Sequence, residues 1–168
     1  MRLFIASSFP EAATRELNHV IASLRPRLPK ASWVRPEAMH LTYVFLGDRM
    51  ISPSFDGIAP FKARLRGCGF FPNRSHARVG WIGVEPEEPF IEIAGRVEAE
   101  NDFRPHLTIT RIRDRWPEDA IDAFEADLHD FRSEFFVVDT VTLYSSELKP
   151  GGAVHTPMSE FVLTESGG

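Results

Sequence analysis

The chain has 168 residues, 43% of them hydrophobic and 26% charged, with 13 prolines, 11 glycines and one cysteine, the composition of a globular protein with a sizeable core. No apolar run approaches the roughly 18 residues that read as a membrane span, the N-terminus lacks a signal-peptide pattern, and a lone Cys68 forms no internal disulfide; the expectation is a cytoplasmic monomer with no membrane partner, cofactor or metal. Residues 1–83 carry a formal charge of +7 and residues 84–168 one of −12, a balance unsuited to gripping a long duplex but compatible with a small anionic target or the end of an RNA strand.

Arg2-Leu3-Phe4-Ile5-Ala6 reads as a buried strand. Pro10 suits the first turn of a helix, and Ala13, Leu17, Val20, Ile21, Leu24 and Leu28 then recur at three- and four-residue intervals until Pro26 and Pro29 end it. A strand follows over 40–46, closed by Gly47-Asp48, and the proline-bearing stretch 48–60 reads as a loop. Residues 61–71 and 77–84 read as strands around the turn Pro72-Asn73-Arg74-Ser75, and 90–100 as a short helix. His106 to Ile112 alternates like a strand, and Pro117 opens a helix whose Ile121, Phe124, Leu128 and Phe131 share a face. Strands over 135–145 and 154–163 complete the chain.

The two halves repeat one another. Val34-Arg35-Pro36-Glu37-Ala38-Met39-His40-Leu41-Thr42 resembles Asp102-Phe103-Arg104-Pro105-His106-Leu107-Thr108, and each His-Leu-Thr follows a strand and a helix in the same order. Composition alone predicts only about 0.3 His-x-Thr spacings in such a chain, so a duplicated lobe is the better explanation of two with the same middle residue. Alternation along a strand projects His40 with Thr42, and His106 with Thr108, away from their leucines. Two such faces packed about a pseudo-twofold axis line one cleft with two imidazoles and two hydroxyls. Hydroxyls donate to phosphate oxygens, and two imidazoles with ordinary pKa values near 6.5 share one proton at neutral pH, so that one serves as base and the other as acid.

Other chemistries lack their motifs. There is no His-Glu-x-x-His, no second cysteine and no Gly-x-Ser-x-Gly. His19, His76, His129 and His155 stand in no comparable context and read as surface histidines; Trp33, Trp81 and Trp116 read as core or rim packing.

These residues carry a family resemblance. His40-Leu41-Thr42-Tyr43-Val44-Phe45-Leu46-Gly47, Trp81-Ile82-Gly83-Val84, Phe103-Arg104-Pro105-His106-Leu107-Thr108-Ile109-Thr110-Arg111 and Val141-Thr142-Leu143-Tyr144-Ser145-Ser146 together resemble the 2H phosphoesterase superfamily, and within it the RNA 2',3'-cyclic phosphodiesterases, also known as 2'-5' RNA ligases. The resemblance implies one bilobal α+β domain over 1–168, its two pseudo-symmetric lobes each a mainly antiparallel sheet with helices on the outer face, and a central cleft carrying both motifs. It implies metal-independent opening of a 2',3'-cyclic phosphate on RNA or a nucleoside to a 2'-phosphate, with 2'-5' ligation as the reverse sense in some members. It further implies His106 as base, His40 as acid, and Thr42, Thr108 and Arg111 as phosphate contacts. Strict alternation puts Arg111 on the face opposite His106, so its role requires a bulge. The 48–60 connection is shorter than is usual in the family, as is the stretch before Phe103, which implies a more open cleft and an altered RNA preference. Two other readings keep the same residues: another cyclic phosphate or a 2'-5' oligonucleotide as substrate, or an RNA-end binding module without turnover.

Overall fold

A computed structural model describes residues 2–165. The opening apolar run forms β1 (Arg2–Ser7), in which Leu3 and Ile5 enter the main core while Phe4 and Ala6 join Tyr144 in a second, smaller cluster on the opposite face of the sheet. Apolar residues on both faces are what a centrally placed strand requires. Helix α1 (Glu11–Leu24) buries Ala13, Leu17, Ile21 and Leu24 from the expected stripe; Pro10 stands just outside as its N-cap, where its extended ψ turns the chain into the helix. A two-residue strand, β2 (Ser32–Trp33), was not legible in the sequence, since two residues carry no periodicity.

The motif strands are β3 (Leu41–Gly47) and β6 (Leu107–Arg111). Each begins at the leucine, so both histidines stand one residue before their strands rather than inside them as the alternation implied. Between them lie β4 (Phe61–Phe71), β5 (Val79–Glu85) and helix α2 (Glu88–Gly95). Helix α3 (Glu118–Leu128) follows β6, and Phe131 of the expected stripe is buried from the turn beyond the helix end. The stretch read as one strand over 135–145 is two: β7 (Phe136–Val138) and β8 (Thr140–Lys149) separate at Asp139, where the chain leaves one sheet for the other. Sequence alternation cannot register that crossing, because a strand pattern looks the same in either sheet. β9 (Gly152–Val162) closes a hairpin with β8.

The result is two antiparallel sheets, ordered β3-β1-β8-β9 and β2-β6-β5-β4-β7. The order β3-β1-β8 matches β6-β5-β4, so the duplication seen in the sequence is a duplication of topology. One continuous apolar cluster joins both, including Leu17 of α1, Leu65 of β4, Phe90 of α2, Ile109 of β6 and Phe124 of α3. Helices α1 and α3 pack against one another and α2 against β3, and β3 touches β6, bringing the two motifs to neighbouring strands of opposed sheets. Among the described residues no helix is long and apolar enough to cross a membrane.

Candidate active site

Each histidine is held the same way. His40 Nδ1 lies 3.2 Å from the Ala38 carbonyl and His106 Nδ1 2.7 Å from the Arg104 carbonyl, in both cases the residue two before it. A carbonyl only accepts, so each Nδ1 carries the proton and donates it, leaving the lone pair on Nε2 of both rings. Aromatic walls fix the ring planes. His40 packs on Tyr144 at 4.6 Å and Phe4 at 6.1 Å between centroids, and His106 on Phe71 at 4.8 Å and Trp81 at 6.3 Å. By register Tyr144 of β8 corresponds to Phe71 of β4, whereas Trp81 of β5 takes the place that Ala6 holds in β1, and Phe4 the place of Val79. Gly69 makes room for the Trp81 ring, which a side chain at that position would overlap, and the Arg104 guanidinium lies 5.1 Å over the same ring.

These walls set the electrostatics. Burial, reinforced by His155, lowers the His40 pKa to about 4 against the pull of the Ala38 carbonyl. Burial also lowers that of His106, with the Arg104 charge adding to it and the Arg104 carbonyl opposing. The expectation of two ordinary imidazoles sharing a proton near pH 6.5 is therefore corrected: in the free protein both favour the neutral form, because little water reaches them to solvate a charge. Cys68, which lines a cavity of about 730 Å³ with Trp81 and Arg104, has its thiol pushed up to about 12 by burial and supplies no thiolate at neutral pH.

Thr42 and Thr108 are both half-buried beside their histidines. After each threonine the ladder slips. Ala6 faces Thr42 but Ile5 faces Val44, leaving Tyr43 unpaired; Trp81 faces Thr108 but Gly80 faces Thr110, leaving Ile109 unpaired. An extra residue reverses the phase of every side chain after it. Thr110 thus turns into the core, its methyl close enough to crowd any side chain at Gly80 beside Phe124, and Arg111 comes onto the face of Thr108 and His106. The bulge that Arg111 required is present, and it occurs in both lobes. The equivalent residue in the first lobe is Phe45, which is 75% exposed and lies 6.0 Å from Phe4 between ring centroids.

The sequence missed Phe45 and His155. His155, expected at the surface, is half-buried, with its ring 5.4 Å from that of His40 and 5.0 Å from that of Phe4. The contact spans 115 positions and depends on the β8–β9 register, which pairs Ser146 with His155, so no local pattern could have revealed it. His19, His76 and His129 are exposed, as expected of surface histidines.

The chain as a whole is similar to known proteins. The chain is 31% identical to the RNA 2',3'-cyclic phosphodiesterase of Thermus thermophilus, an alignment covering 97% of this chain and 90% of that one, and 28% identical to the protein of that name from Methanothermobacter thermautotrophicus over 97% and 99%. A solved structure from Thermus thermophilus superposes with a TM-score of 0.71 at 29% identity over 97% of this chain and 98% of that one, and E. coli LigT complexed with ATP with a TM-score of 0.70 at 25% identity over 97% and 98%. The family model of the 2'-5' RNA ligase superfamily matches residues 4–150, a stretch holding both His-Leu-Thr strands, both bulges and the walls behind each histidine, and the chain belongs to that family.

Proposed function

We propose that the chain hydrolyses the 2',3'-cyclic phosphate of an RNA end or nucleoside to a 2'-phosphate by two-histidine acid–base catalysis. The observation that carries this reading is the repeated geometry of His40 and His106: two imidazoles from neighbouring strands of opposed sheets, each with Nδ1 committed to a carbonyl and Nε2 free. Nε2 of neutral His106 removes a proton from water as the water oxygen bonds to phosphorus. The P–O3' bond breaks, and Nε2 of protonated His40 gives its proton to the departing 3'-oxygen, leaving a 2'-phosphate and a 3'-hydroxyl. Thr42 and Thr108 donate to the non-bridging oxygens, and Arg111 neutralises charge as it builds on them. With a ribose 5'-hydroxyl in place of water the same step forms a 2'-5' linkage. Phe45 offers an exposed aromatic face on the His40 side, the side on which the ribose and base of the leaving oxygen must lie.

The test is turnover of an RNA oligonucleotide ending in a 2',3'-cyclic phosphate, in the presence of chelator, with the position of the product phosphate read out. Wild type is expected to yield a 2'-phosphate, and His40→Ala and His106→Ala each to lose at least about 10²-fold in kcat, the usual value of one general acid or base. A folded wild type that leaves the substrate intact, or that yields a 3'-phosphate, would overturn the reading.

A further inference from the structure

We propose that His155 and Arg35 form a second phosphate subsite, one ribose upstream of the scissile cyclic phosphate, that recognises the 5'-phosphate group of the terminal nucleotide. The inference rests on the assignment of His40 as the acid. If His40 protonates O3', then the ribose carrying that oxygen, and the chain joined to its 5' side, extend away from His106 and over the wall behind His40. His155 stands on that wall.

The chemistry of this third imidazole differs from that of the other two. Its Nδ1 is buried and has no hydrogen-bond partner among the described residues. An N–H shut away without an acceptor is rarer in proteins than an unsatisfied acceptor, so the neutral ring keeps its proton on Nε2. His155 therefore presents a donor where His40 and His106 present a lone pair; in this form it cannot serve as a base, and it suits a phosphate oxygen. Arg35 supplies the charge. Its Nη2 donates to the Ala153 carbonyl at 3.1 Å, two residues before His155, and it approaches closely enough that its cation disfavours protonation of His155. Gly152 permits this docking, since a side chain there would meet the guanidinium at 3.0 Å. Across the sheet the register places Ser146 beside His155 and Arg2 beside Ser146, so the same row ends in a second exposed cation. The carboxylate facing Arg35 is that of Glu37, 3.7 Å from its Nε at an exposed position, too solvated to cancel the cation. The other titratable group against His155 is His40 itself. Arg35 lies within residues 4–150, the stretch the family model matches, and His155 lies beyond it.

The experiment compares adenosine 2',3'-cyclic phosphate with the same compound carrying a 5'-phosphate, for wild type, Arg35→Gln, His155→Gln and Arg15→Gln, the last an equal loss of charge on α1. The readout is the ratio of the two kcat/KM values, in which any effect a substitution has on the shared chemical step cancels. Wild type and Arg15→Gln are expected to favour the 5'-phosphorylated compound by about tenfold or more, the value of a charge-assisted contact, and the Arg35 and His155 variants to bring the ratio near one. Equal turnover of both compounds by wild type, or a preference that survives in both variants, would overturn the subsite while leaving the proposed activity standing. Turnover of neither compound would overturn the subsite, whose proposed ligand is that nucleotide, and together with an untouched oligonucleotide ending in a 2',3'-cyclic phosphate it would overturn the activity as well.

Discussion

At the scale of single residues, equivalent Nδ1 bonds to carbonyls two residues back give His40 and His106 the same tautomer, and what separates them is the length of those bonds and their walls. The proposed mechanism needs opposite protonation states from them, neutral at His106 and charged at His40. Burial lowers both pKa values from the usual 6.5, that of His40 to about 4. Because kcat/KM reports the ionisations of the free enzyme, its bell is centred at the mean of the two values, and that mean lies below 6.5. The signs follow: raising the pH above the centre strips the proton from His40, and lowering it charges His106. Once a phosphate anion fills the cleft it favours the protonated acid, so the alkaline limb of kcat is expected at higher pH than that of kcat/KM. A pH–rate series on a nucleoside 2',3'-cyclic phosphate checks both points; a kcat/KM maximum at about pH 7 or above would contradict a desolvated pair. The pairing of these two histidines was legible because the motif is local and occurs twice. Their lowered pKa values were not, because Tyr144, Phe71 and His155 reach them from strands distant in the chain.

At the scale of elements, the bulges carry more of the site than the strands do. Period-two alternation correctly separated His106 and Thr108 from Leu107, and then failed at Arg111, because the unpaired Ile109 is imposed by the β5–β6 ladder and leaves no mark in β6 alone. The same limit produced the single strand expected over 135–145, where a change of sheet at Asp139 is invisible to local pattern. Helices fared better: α1 and α3 have buried stripes whose spacing is intrinsic to the segment, and only their ends moved. The bulge leads to a prediction about Arg111. On the proposed mechanism an exposed cation brought onto the His106 face contributes to charge stabilisation in the transition state and little to folding. Arg111→Ala is therefore expected to lower kcat/KM by about 10²-fold, the loss typical of one charge-stabilising donor, with no change in Tm. Arg111→Lys should recover part of the loss, since it restores the charge without the planar fork. Unchanged turnover in Arg111→Ala would place the side chain outside the site.

At the scale of the whole molecule, the charge asymmetry read from the sequence does not map onto the lobes, because each sheet draws strands from both halves of the chain. The acidic residues of α3 instead meet basic residues of the first half. Arg74 pairs with Asp122 at 2.8 Å and Glu125 at 2.9 Å, and Arg27 pairs with Asp127. Such exposed pairs are worth about 0–1 kcal/mol each, so part of the charge asymmetry between the two halves is taken up where they meet, with little effect on stability. Titration of the cleft has a larger consequence for folding. Three imidazoles, His40, His106 and His155, have pKa values lowered first by burial, and in the unfolded chain each returns to about 6.5. Above that pH neither state binds protons at these sites. As the pH falls through 6.5 toward the folded values, about 4 for His40, the unfolded chain takes up protons that the folded one refuses, and stability falls with them. Most carboxylates titrate below about pH 5, so the window from about pH 7 to 5 isolates the histidines. The Tm measured by calorimetry is expected to fall across that window in wild type and to fall less steeply in His40→Gln, whatever the absolute stability of the variant. A flat wild-type profile, or one the variant reproduces, would mean that the cleft hydrates its imidazoles in solution, and the acidic centre expected for kcat/KM would then lose its cause.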